Sequence, residues 1–242
     1  MKLEQMIWFG ILFLAASSMF GANVANAKEE SVSMLIDADQ LQMKLGDKTL
    51  RVIDTRSQEN YEKGHVPGAV RVDVADWKSL VASPNGLRDT KEWAKKIGEL
   101  GLAEDSHVVV YGDKLSNTAR VWWLLKYVGV SKASILDGGW QYWLETGKAT
   151  ETNTSTMSAT LFKPNFQKDR LEEIDSLKQS LESVTVIDTR SSEEFAAGHI
   201  GAATRIEWKE LVADDGRFKT KTELQRLFRE NNVLPAHTTV CY

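Results

Sequence analysis

Hydrophobic and polar positions along residues 33–148 follow a pattern that predicts strands alternating with helices. Short β-branched runs at LRVIDT (50–55), AVRVDV (69–74) and HVVVY (107–111) indicate strands. HVVVY is apolar throughout, which is typical of a strand buried on both faces of a parallel sheet. NTARVWWLLKYVG (117–129) has helical spacing of its apolar residues and ends at a glycine. This order predicts an α/β fold with a parallel sheet flanked by helices.

Part of the pattern occurs twice in the chain. RVIDTRSQENYEKGHVPGAVRV (51–72) aligns without a gap with TVIDTRSSEEFAAGHIGAATRI (185–206). So many identities in one register indicate a tandem duplication. The shared positions include an aspartate, an arginine and a histidine in each copy, with Asp54, Arg56 and His65 matching Asp188, Arg190 and His199.

The strand HVVVY has its own counterpart in TTVCY, residues 238–242. In this alignment Tyr111 matches Tyr242, and Val110 matches Cys241. The residues that follow Tyr111 in the first copy have no counterpart in the second. We therefore expect the second domain to be truncated after its central strand, with apolar faces exposed and an open sheet edge.

These observations predict four segments along the chain. They are a signal peptide at 1–27, a first domain at 33–148, a linker at 149–168 and a second, incomplete domain at 169–242. The linker, ATETNTSTMSATLFKPNFQK, is rich in threonine and serine and has no helical period.

The N-terminus has the pattern of an export signal. Lys2 precedes an apolar run from Met6 to Phe20, and ANA at 25–27 offers small residues for cleavage after Ala27. At about 15 residues, the run is shorter than the roughly 20 that span a bilayer. We predict a periplasmic or secreted protein with no stable membrane anchor after cleavage.

Composition narrows the range of possible partners, disulfides and cofactors further. The formal net charge is −4, so no basic field favours nucleic acid as a partner. A single cysteine excludes an internal disulfide framework. Four histidines and one cysteine are scattered along the chain, so we predict neither a metal site nor a cofactor. Nothing in the pattern indicates an oligomeric state.

The motifs VIDTR, YEKGHVPGA, FAAGHIGAA and ILDGGWQYW resemble the rhodanese family of sulfurtransferases in its tandem, two-domain form. The resemblance implies two rhodanese-like domains, of which the first is catalytically silent. It places a nucleophilic cysteine in the second domain, on the loop after the central strand, as in Y-C-x-x-G. That cysteine would accept a sulfane sulfur from a small donor such as thiosulfate or mercaptopyruvate. The resulting persulfide would pass the sulfur to a thiophilic acceptor.

The resemblance also decides how the candidate site residues are interpreted. The nucleophile is expected directly after Tyr242, so Cys241 is predicted to be an inert core residue, with a misaligned nucleophile as the alternative. In the first domain Gly112 and Asp113 occupy the loop where a cysteine would be needed. Glu194 occupies a position at which many relatives carry a donor-binding arginine, which argues against thiosulfate as the physiological donor.

The remaining motif residues receive structural interpretations. Asp54 with Arg56, and Asp188 with Arg190, are expected to tie neighbouring loops through partly buried ion pairs. His65 and His199 precede a turn, where a structural hydrogen bond is expected. Catalysis by either histidine is the alternative.

The sequence leaves two further classes of function open. One is a non-catalytic binding module, in which both copies lack the cysteine and the pair presents a surface to a partner. The other is a cysteine phosphatase, which a related fold hosts with a longer loop. As given, residues 28–242 are predicted to be inactive in sulfur transfer.

Overall fold

The computed structural model describes residues 32–103, 105–235 and 237–242. The predicted signal peptide, residues 1–27, lies outside the described residues. The described chain forms two compact units that divide after Lys168. We call the part up to Lys168 the N-terminal unit and Asp169–Tyr242 the C-terminal unit.

The described part of the N-terminal unit contains a parallel sheet of five strands in the order β1-β5-β4-β2-β3. The strands are β1 (Leu35–Ile36), β2 (Leu50–Asp54), β3 (Val70–Arg71), β4 (His107–Tyr111) and β5 (Ala133–Leu136). The α-helices are α1 (Ala38–Lys44), α2 (Gln58–Lys63), α3 (Val74–Ala82), α4 (Thr90–Glu99), α5 (Leu115–Tyr127) and α6 (Gly139–Glu145), with a 3-10 turn at Gly86–Arg88. The predicted α/β fold with a parallel sheet flanked by helices is confirmed.

The centre of this sheet is β4, as its apolar sequence predicts. Val108, Val109 and Val110 are fully buried, and β4 pairs with β2 on one side and β5 on the other. The C-terminal ends of parallel strands face the same edge of a sheet, so the loop after Tyr111 lies at the edge where α/β proteins place their sites.

The strand predicted at 69–74 is shorter in the structure, covering Val70–Arg71 only. The Asp73 side chain accepts hydrogen bonds from the backbone N–H groups of Ala75 and Asp76 and so begins α3 at Val74. An aspartate at an N-cap satisfies helix donors that would otherwise lack partners. This local cap therefore prevents the strand from extending through its apolar residues.

Residues 149–167, which fall within the predicted linker, pack along the N-terminal unit, and we call them the strap. The backbone N–H of Thr160 donates to the Gly98 carbonyl at 3.0 Å, and that of Asn165 donates to the Val128 carbonyl at 2.9 Å. A Cβ at Gly98 would lie 2.5 Å from the Thr160 carbonyl oxygen. Only glycine allows the strap to approach so closely.

The described part of the C-terminal unit contains three parallel strands in the order β7-β6-β8. They are β6 (Thr185–Asp188), β7 (Thr204–Arg205) and β8 (Thr239–Cys241), accompanied by helices α7 (Ile174–Ser180), α8 (Ser192–Ala197) and α9 (Lys221–Glu230) and by a 3-10 turn at Trp208–Leu211. A further 3-10 turn, Lys168–Arg170, begins at the last residue of the N-terminal unit. The register pairs Ile187 with Cys241, just as Ile53 pairs with Val110 in the N-terminal unit. Within the described residues β8 pairs with β6 alone, at the edge of the sheet.

No helix in the described ranges is both long and apolar enough to cross a membrane.

Candidate functional site

A buried cluster of three side chains fixes the end of β2 in the N-terminal unit. The Arg56 guanidinium donates to the Asp54 carboxylate through Nε, at 3.1 and 3.0 Å, and through Nη2, at 2.6 Å. Nη2 also donates to the Gly64 carbonyl at 2.7 Å. The Tyr111 hydroxyl donates to Asp54 Oδ2 at 2.5 Å and accepts from the Val66 N–H at 3.0 Å. The cluster thus joins β2, β4 and the turn that contains Gly64.

Charge and aromatic contact reinforce this arrangement. Burial, followed by the negative charge of Asp54, raises the pKa of Tyr111 well above its usual value. Burial alone would lower the pKa of Arg56, but its contacts with Asp54 raise it. The Arg56 guanidinium carbon lies 3.9 Å from the centroid of the Trp140 ring, within the range of a cation–π contact. The cluster is therefore a fixed ion pair and is suited to positioning rather than to proton transfer.

The loop after Tyr111 begins with a glycine that has no room for a side chain. The Tyr111 carbonyl accepts the Thr55 N–H at 2.9 Å and the Thr55 hydroxyl at 3.0 Å. A Cβ at Gly112 would lie 2.2 Å from Thr55 Oγ1 and 2.9 Å from Thr118 Oγ1. On its other side, the Gly112 carbonyl accepts the Trp140 N–H at 2.9 Å. This loop therefore lacks a thiol and also excludes any side chain at the position that follows the tyrosine.

Asp113, the second residue of this loop, is exposed and lies against the start of α2. The Asn60 amide nitrogen lies 3.5 Å from its carboxylate. Asn60 aligns with Glu194 of the second copy. In the N-terminal unit, therefore, the side chain at this position reaches the loop after Tyr111. Glu194 itself is exposed, and its carboxylate accepts the Ser191 N–H at 3.2 Å as part of a capping box at the start of α8.

The C-terminal unit contains the same cluster at the end of β6. The Arg190 guanidinium binds the Asp188 carboxylate at 2.5 Å and the Gly198 carbonyl at 2.9 Å through Nη2. The Ile200 N–H donates to the Tyr242 hydroxyl at 2.8 Å. Burial alone would raise the pKa of Asp188, but hydrogen bonds from Arg190 and Tyr242 lower it below its usual value. The hydrogen bond with Asp188 raises the pKa of Arg190.

The carbonyl of Tyr242 is held in the same way as that of Tyr111. Thr189 donates to it through its N–H and through its hydroxyl, both at 2.9 Å. Thr55 and Thr189 were not singled out in the sequence, where only the aspartate and arginine of VIDTR received roles. The signal was present, since both copies have a threonine between an aspartate and an arginine, directly after a strand.

Cys241 lies within β8, one residue before the fixed tyrosine. It pairs with Ile187 and is half-buried. Burial raises the pKa of its thiol well above the usual value. A nucleophilic thiol needs the opposite shift, because the thiolate is the reactive form. The position of Cys241 therefore opposes activation.

The two motif histidines occupy different environments. His65 is fully buried and stacks on Tyr61 with ring centroids 3.9 Å apart. Its Nδ1 lies 2.9 Å from the Tyr61 carbonyl, and its Nε2 lies 3.2 Å from the carbonyl of Asn153 in the strap. His199 is exposed, although its ring stacks on Phe195 with centroids 3.7 Å apart and its Nδ1 lies 3.0 Å from the Phe195 carbonyl.

A metal centre has no basis in the described part of the chain, which places no three His, Cys, Asp or Glu side chains together as ligands.

Comparison with known proteins adds an independent line of evidence. The rhodanese-like domain family matches residues 37–146. The chain is 30% identical to a thiosulfate sulfurtransferase of Corynebacterium glutamicum, over 86% of this chain and 76% of that protein. It is also 30% identical to a 3-mercaptopyruvate sulfurtransferase of Escherichia coli strain K12, over 82% of this chain and 79% of that protein. The crystal structure of SseA from Escherichia coli, a 3-mercaptopyruvate sulfotransferase, superposes with a TM-score of 0.74 at 27% identity, covering 86% of this chain and 87% of that one. Together with the parallel sheet and its VIDTR motifs, these similarities show that the chain belongs to the rhodanese family of sulfurtransferases.

Proposed function

We propose that this protein is a tandem sulfurtransferase that moves a sulfane sulfur from a small donor to a thiophilic acceptor through a cysteine persulfide. The observation that carries the proposal is the cluster of Asp188, Arg190 and Tyr242, which repeats that of the N-terminal unit around the end of β8. The thiosulfate and 3-mercaptopyruvate sulfurtransferases among the relatives support donors of this class. In this proposal residues 33–148 and 169–242 are rhodanese-like domains joined by 149–168.

The proposal gives the two copies different roles. The first is catalytically silent, because Gly112 leaves no space for a side chain beside Thr55 and Thr118. The second supplies the nucleophile from the position that follows Tyr242. The carbonyl and hydroxyl of Tyr242 are both held by hydrogen bonds, so the start of that loop has a fixed direction.

Helix geometry explains why this loop suits a thiolate. In the N-terminal unit the corresponding loop leads directly into α5. The first turn of a helix offers backbone N–H groups and a partial positive charge, which lower the pKa of a thiol placed there. A cysteine within β8 does not have this environment, and the raised pKa of Cys241 is consistent with the difference.

The proposed reaction balances without a cofactor. The thiolate attacks the sulfane sulfur of the donor, the bond between that sulfur and the rest of the donor breaks, and the leaving group departs with the electron pair. A nucleophilic acceptor then attacks the outer sulfur of the persulfide and releases the thiolate. Covalent catalysis of this kind divides the transfer into two displacements.

Donor preference is proposed to involve Glu194. Its counterpart in the N-terminal unit, Asn60, reaches the loop after Tyr111. A carboxylate at this position would repel an anion held at the matching loop. We therefore expect thiosulfate, a dianion, to be a poor donor.

The assay that tests this proposal measures thiocyanate formed from thiosulfate or mercaptopyruvate and cyanide. The full chain ending at Tyr242 is expected to give none, with or without residues 1–27, and Cys241→Ser is expected to change nothing. Native protein from its source, incubated with donor, is expected to gain one sulfur atom on a cysteine directly after Tyr242. Turnover by the chain ending at Tyr242 that is lost in Cys241→Ser would overturn the assignment.

A non-catalytic binding module is the alternative, because within the described residues Cys241 lies in the strand β8 and the loop after Tyr111 has no thiol. A native peptide with any residue other than cysteine after Tyr242, and no sulfur uptake, would establish this alternative.

Export is proposed on the N-terminal pattern, with cleavage after Ala27 and a periplasmic or secreted location. N-terminal sequencing of the native protein tests it, and a mature chain that retains residues 1–27 would contradict it.

A further inference from the structure

A cavity of about 460 Å³ lies beside β3, the edge strand of the sheet in the N-terminal unit. Its walls are β3 itself, residues in and beside α2, α3 and α4, and strap residues 154–157. This volume is within the range of roughly 300–1,000 Å³ that proteins use for small ligands. None of Asp54, Arg56 and Tyr111 lines the cavity, so it is separate from the cluster at the end of β2.

The strap forms one wall of this cavity and is fixed in place. The backbone N–H of Ser155 hydrogen-bonds the Tyr61 hydroxyl. Met157 packs on Gly101, where an added Cβ would lie 2.8 Å from the Met157 Cβ. Within the described residues, 154–157 form no hydrogen bond with β3. The space between strap and strand is therefore preformed, which lowers the cost of ordering the site when a ligand binds.

The strand β3 has backbone groups that face this space. Val70 pairs with Ile53 of β2, and the Val72 N–H donates to the Asp54 carbonyl at 2.9 Å. Backbone groups of successive residues in a ladder point alternately to either side, so those of Arg71 face away from β2. In the described part of the chain, the N–H and the carbonyl of Arg71 have no hydrogen-bond partner. Such an edge can pair with another extended segment.

The Arg71 side chain also borders the cavity and makes one short hydrogen bond. Its Nε donates to Gln58 Oε1 at 2.7 Å. Nη1 lies 3.4 Å from each of two backbone carbonyls, and Nη2 lies 3.7 Å from the Asp73 carboxylate. Asp73 itself accepts N–H groups as the cap of α3. Both Nη nitrogens therefore have only long contacts, whereas an arginine paired with a carboxylate makes bonds of about 2.8 Å.

The matching arginine of the second copy has more acidic neighbours. Arg205 has two carboxylates within 3.6 Å, one of them Glu210 at 3.4 Å. The counterpart of Glu210 is Asp76, which instead binds Lys96 of α4. Among the described residues, Arg71 therefore has one carboxylate within 4 Å. This difference leaves its guanidinium able to bind a carboxylate from a ligand.

The charges around the cavity favour a ligand with a single negative group. Two cations and three carboxylates line it, namely Arg71, Lys96, Asp73, Asp76 and Glu99. Lys96 and Asp76 offset each other as an ion pair. The remaining acids would repel a multiply charged anion such as phosphate. One carboxylate bound to Arg71 is compatible with this balance.

We infer that this cavity binds the C-terminal end of a short peptide. The terminal carboxylate would bind the Arg71 guanidinium as a charge-assisted pair. The preceding amide groups would hydrogen-bond the N–H and carbonyl of Arg71, as an added strand does. An apolar C-terminal side chain would lie against Val72, Trp77 and Leu100, which line the cavity. The inference rests on the N-terminal unit and does not depend on the proposed sulfur transfer.

The experiment titrates N-acetyl-glycyl-leucine, which has a free carboxylate, into the ¹⁵N-labelled full chain. Saturable chemical-shift changes are expected at residues 70–73 and 154–157, with a dissociation constant on the order of 1 mM for so small a ligand. The C-terminal amide of the same dipeptide lacks the charge and is expected to bind about tenfold more weakly. Inorganic phosphate is expected not to compete. Because these changes are made in the ligand, folding of the protein is not at issue.

A pair of protein variants gives a second measurement. Arg71→Gln is expected to remove the preference for the acid over the amide, whereas Arg205→Gln, at the matching position, is expected to leave that preference unchanged. Circular dichroism checks that both variants fold. Should Arg71→Gln not fold, Arg71→Lys replaces it and is expected to reduce the preference several-fold, because lysine lacks the two-nitrogen fork.

Three results would overturn the inference. One is the absence of saturable binding at about 10 mM dipeptide, an order of magnitude above the expected dissociation constant. Another is equal binding of the acid and the amide by the unmodified chain. The third is a set of shift changes that leaves out both 70–73 and 154–157. Competition by phosphate at equal concentration would overturn the assignment to a single carboxylate.

Discussion

Replacing Gly112 by alanine should destabilise the N-terminal unit, because the added Cβ has nowhere to go. It would lie 2.2 Å from Thr55 Oγ1 and 2.9 Å from Thr118 Oγ1. To admit it, the Thr55 side chain must rotate. The rotation breaks its hydrogen bond to the Tyr111 carbonyl, now 3.0 Å long, and its 3.3 Å contact with Thr118.

The expected loss of stability has two parts, the insertion of a carbon into a packed site and the broken hydrogen bond. Inserting a carbon into a packed interior costs about 1–3 kcal/mol. A lost internal hydrogen bond adds roughly 1 kcal/mol. We therefore expect Gly112→Ala to lower the free energy of unfolding by about 2–4 kcal/mol. Gly201→Ala is the matched control, because a Cβ at Gly201 meets no atom within 4 Å, and it should change stability by no more than about 0.5 kcal/mol.

Urea denaturation followed by circular dichroism and tryptophan fluorescence measures both variants. A double-mutant cycle with Thr55→Ala then tests the cause, because an alanine at position 55 opens the space that the new Cβ needs. The double variant should be at least about 1 kcal/mol more stable than the sum of the single changes predicts. Additive effects, or a Gly112→Ala variant as stable as the parent, would refute the steric argument.

Three further predictions concern the C-terminal unit. Because the native pKa of Asp188 lies below the value of about 3.9 in unfolded chains, its contribution to stability is complete above that pH and is lost as the pH falls through the native value. Acid titration should therefore show this loss below about pH 4, and Asp188→Asn should remove it while lowering stability at neutral pH. Cys241 should react with iodoacetamide at pH 8 at least tenfold more slowly in the native chain than in urea, since burial raises its thiol pKa; equal rates would contradict the burial. Amides at 238–242, in the edge strand β8, should exchange with deuterium faster than those at 107–111 in the central strand β4, and equal protection would show that β8 is not a free edge.

The sequence by itself determined the class of fold and the correspondence between the two copies. Strand periodicity and the VIDTR identities are local signals, so they located β2, β4 and β6 and paired Tyr111 with Tyr242. The same alignment placed Cys241 within a strand rather than on a loop. These features can be predicted from the sequence because each depends on a short run of residues and its backbone preference.

The tertiary structure decided what those residues contact. Gly112 is an unremarkable loop residue in the sequence, and only the position of the Thr55 hydroxyl shows that the loop has no room for a side chain. Residues 149–167 are polar and aperiodic, so the sequence predicts a linker there. Their local sequence does not reveal that Gly98, which has no side chain, lets Thr160 approach its backbone. His65 and His199 lie in nearly identical motifs, yet one is buried and the other exposed. Burial depends on a distant segment of the chain, and a motif contains no information about what packs over it.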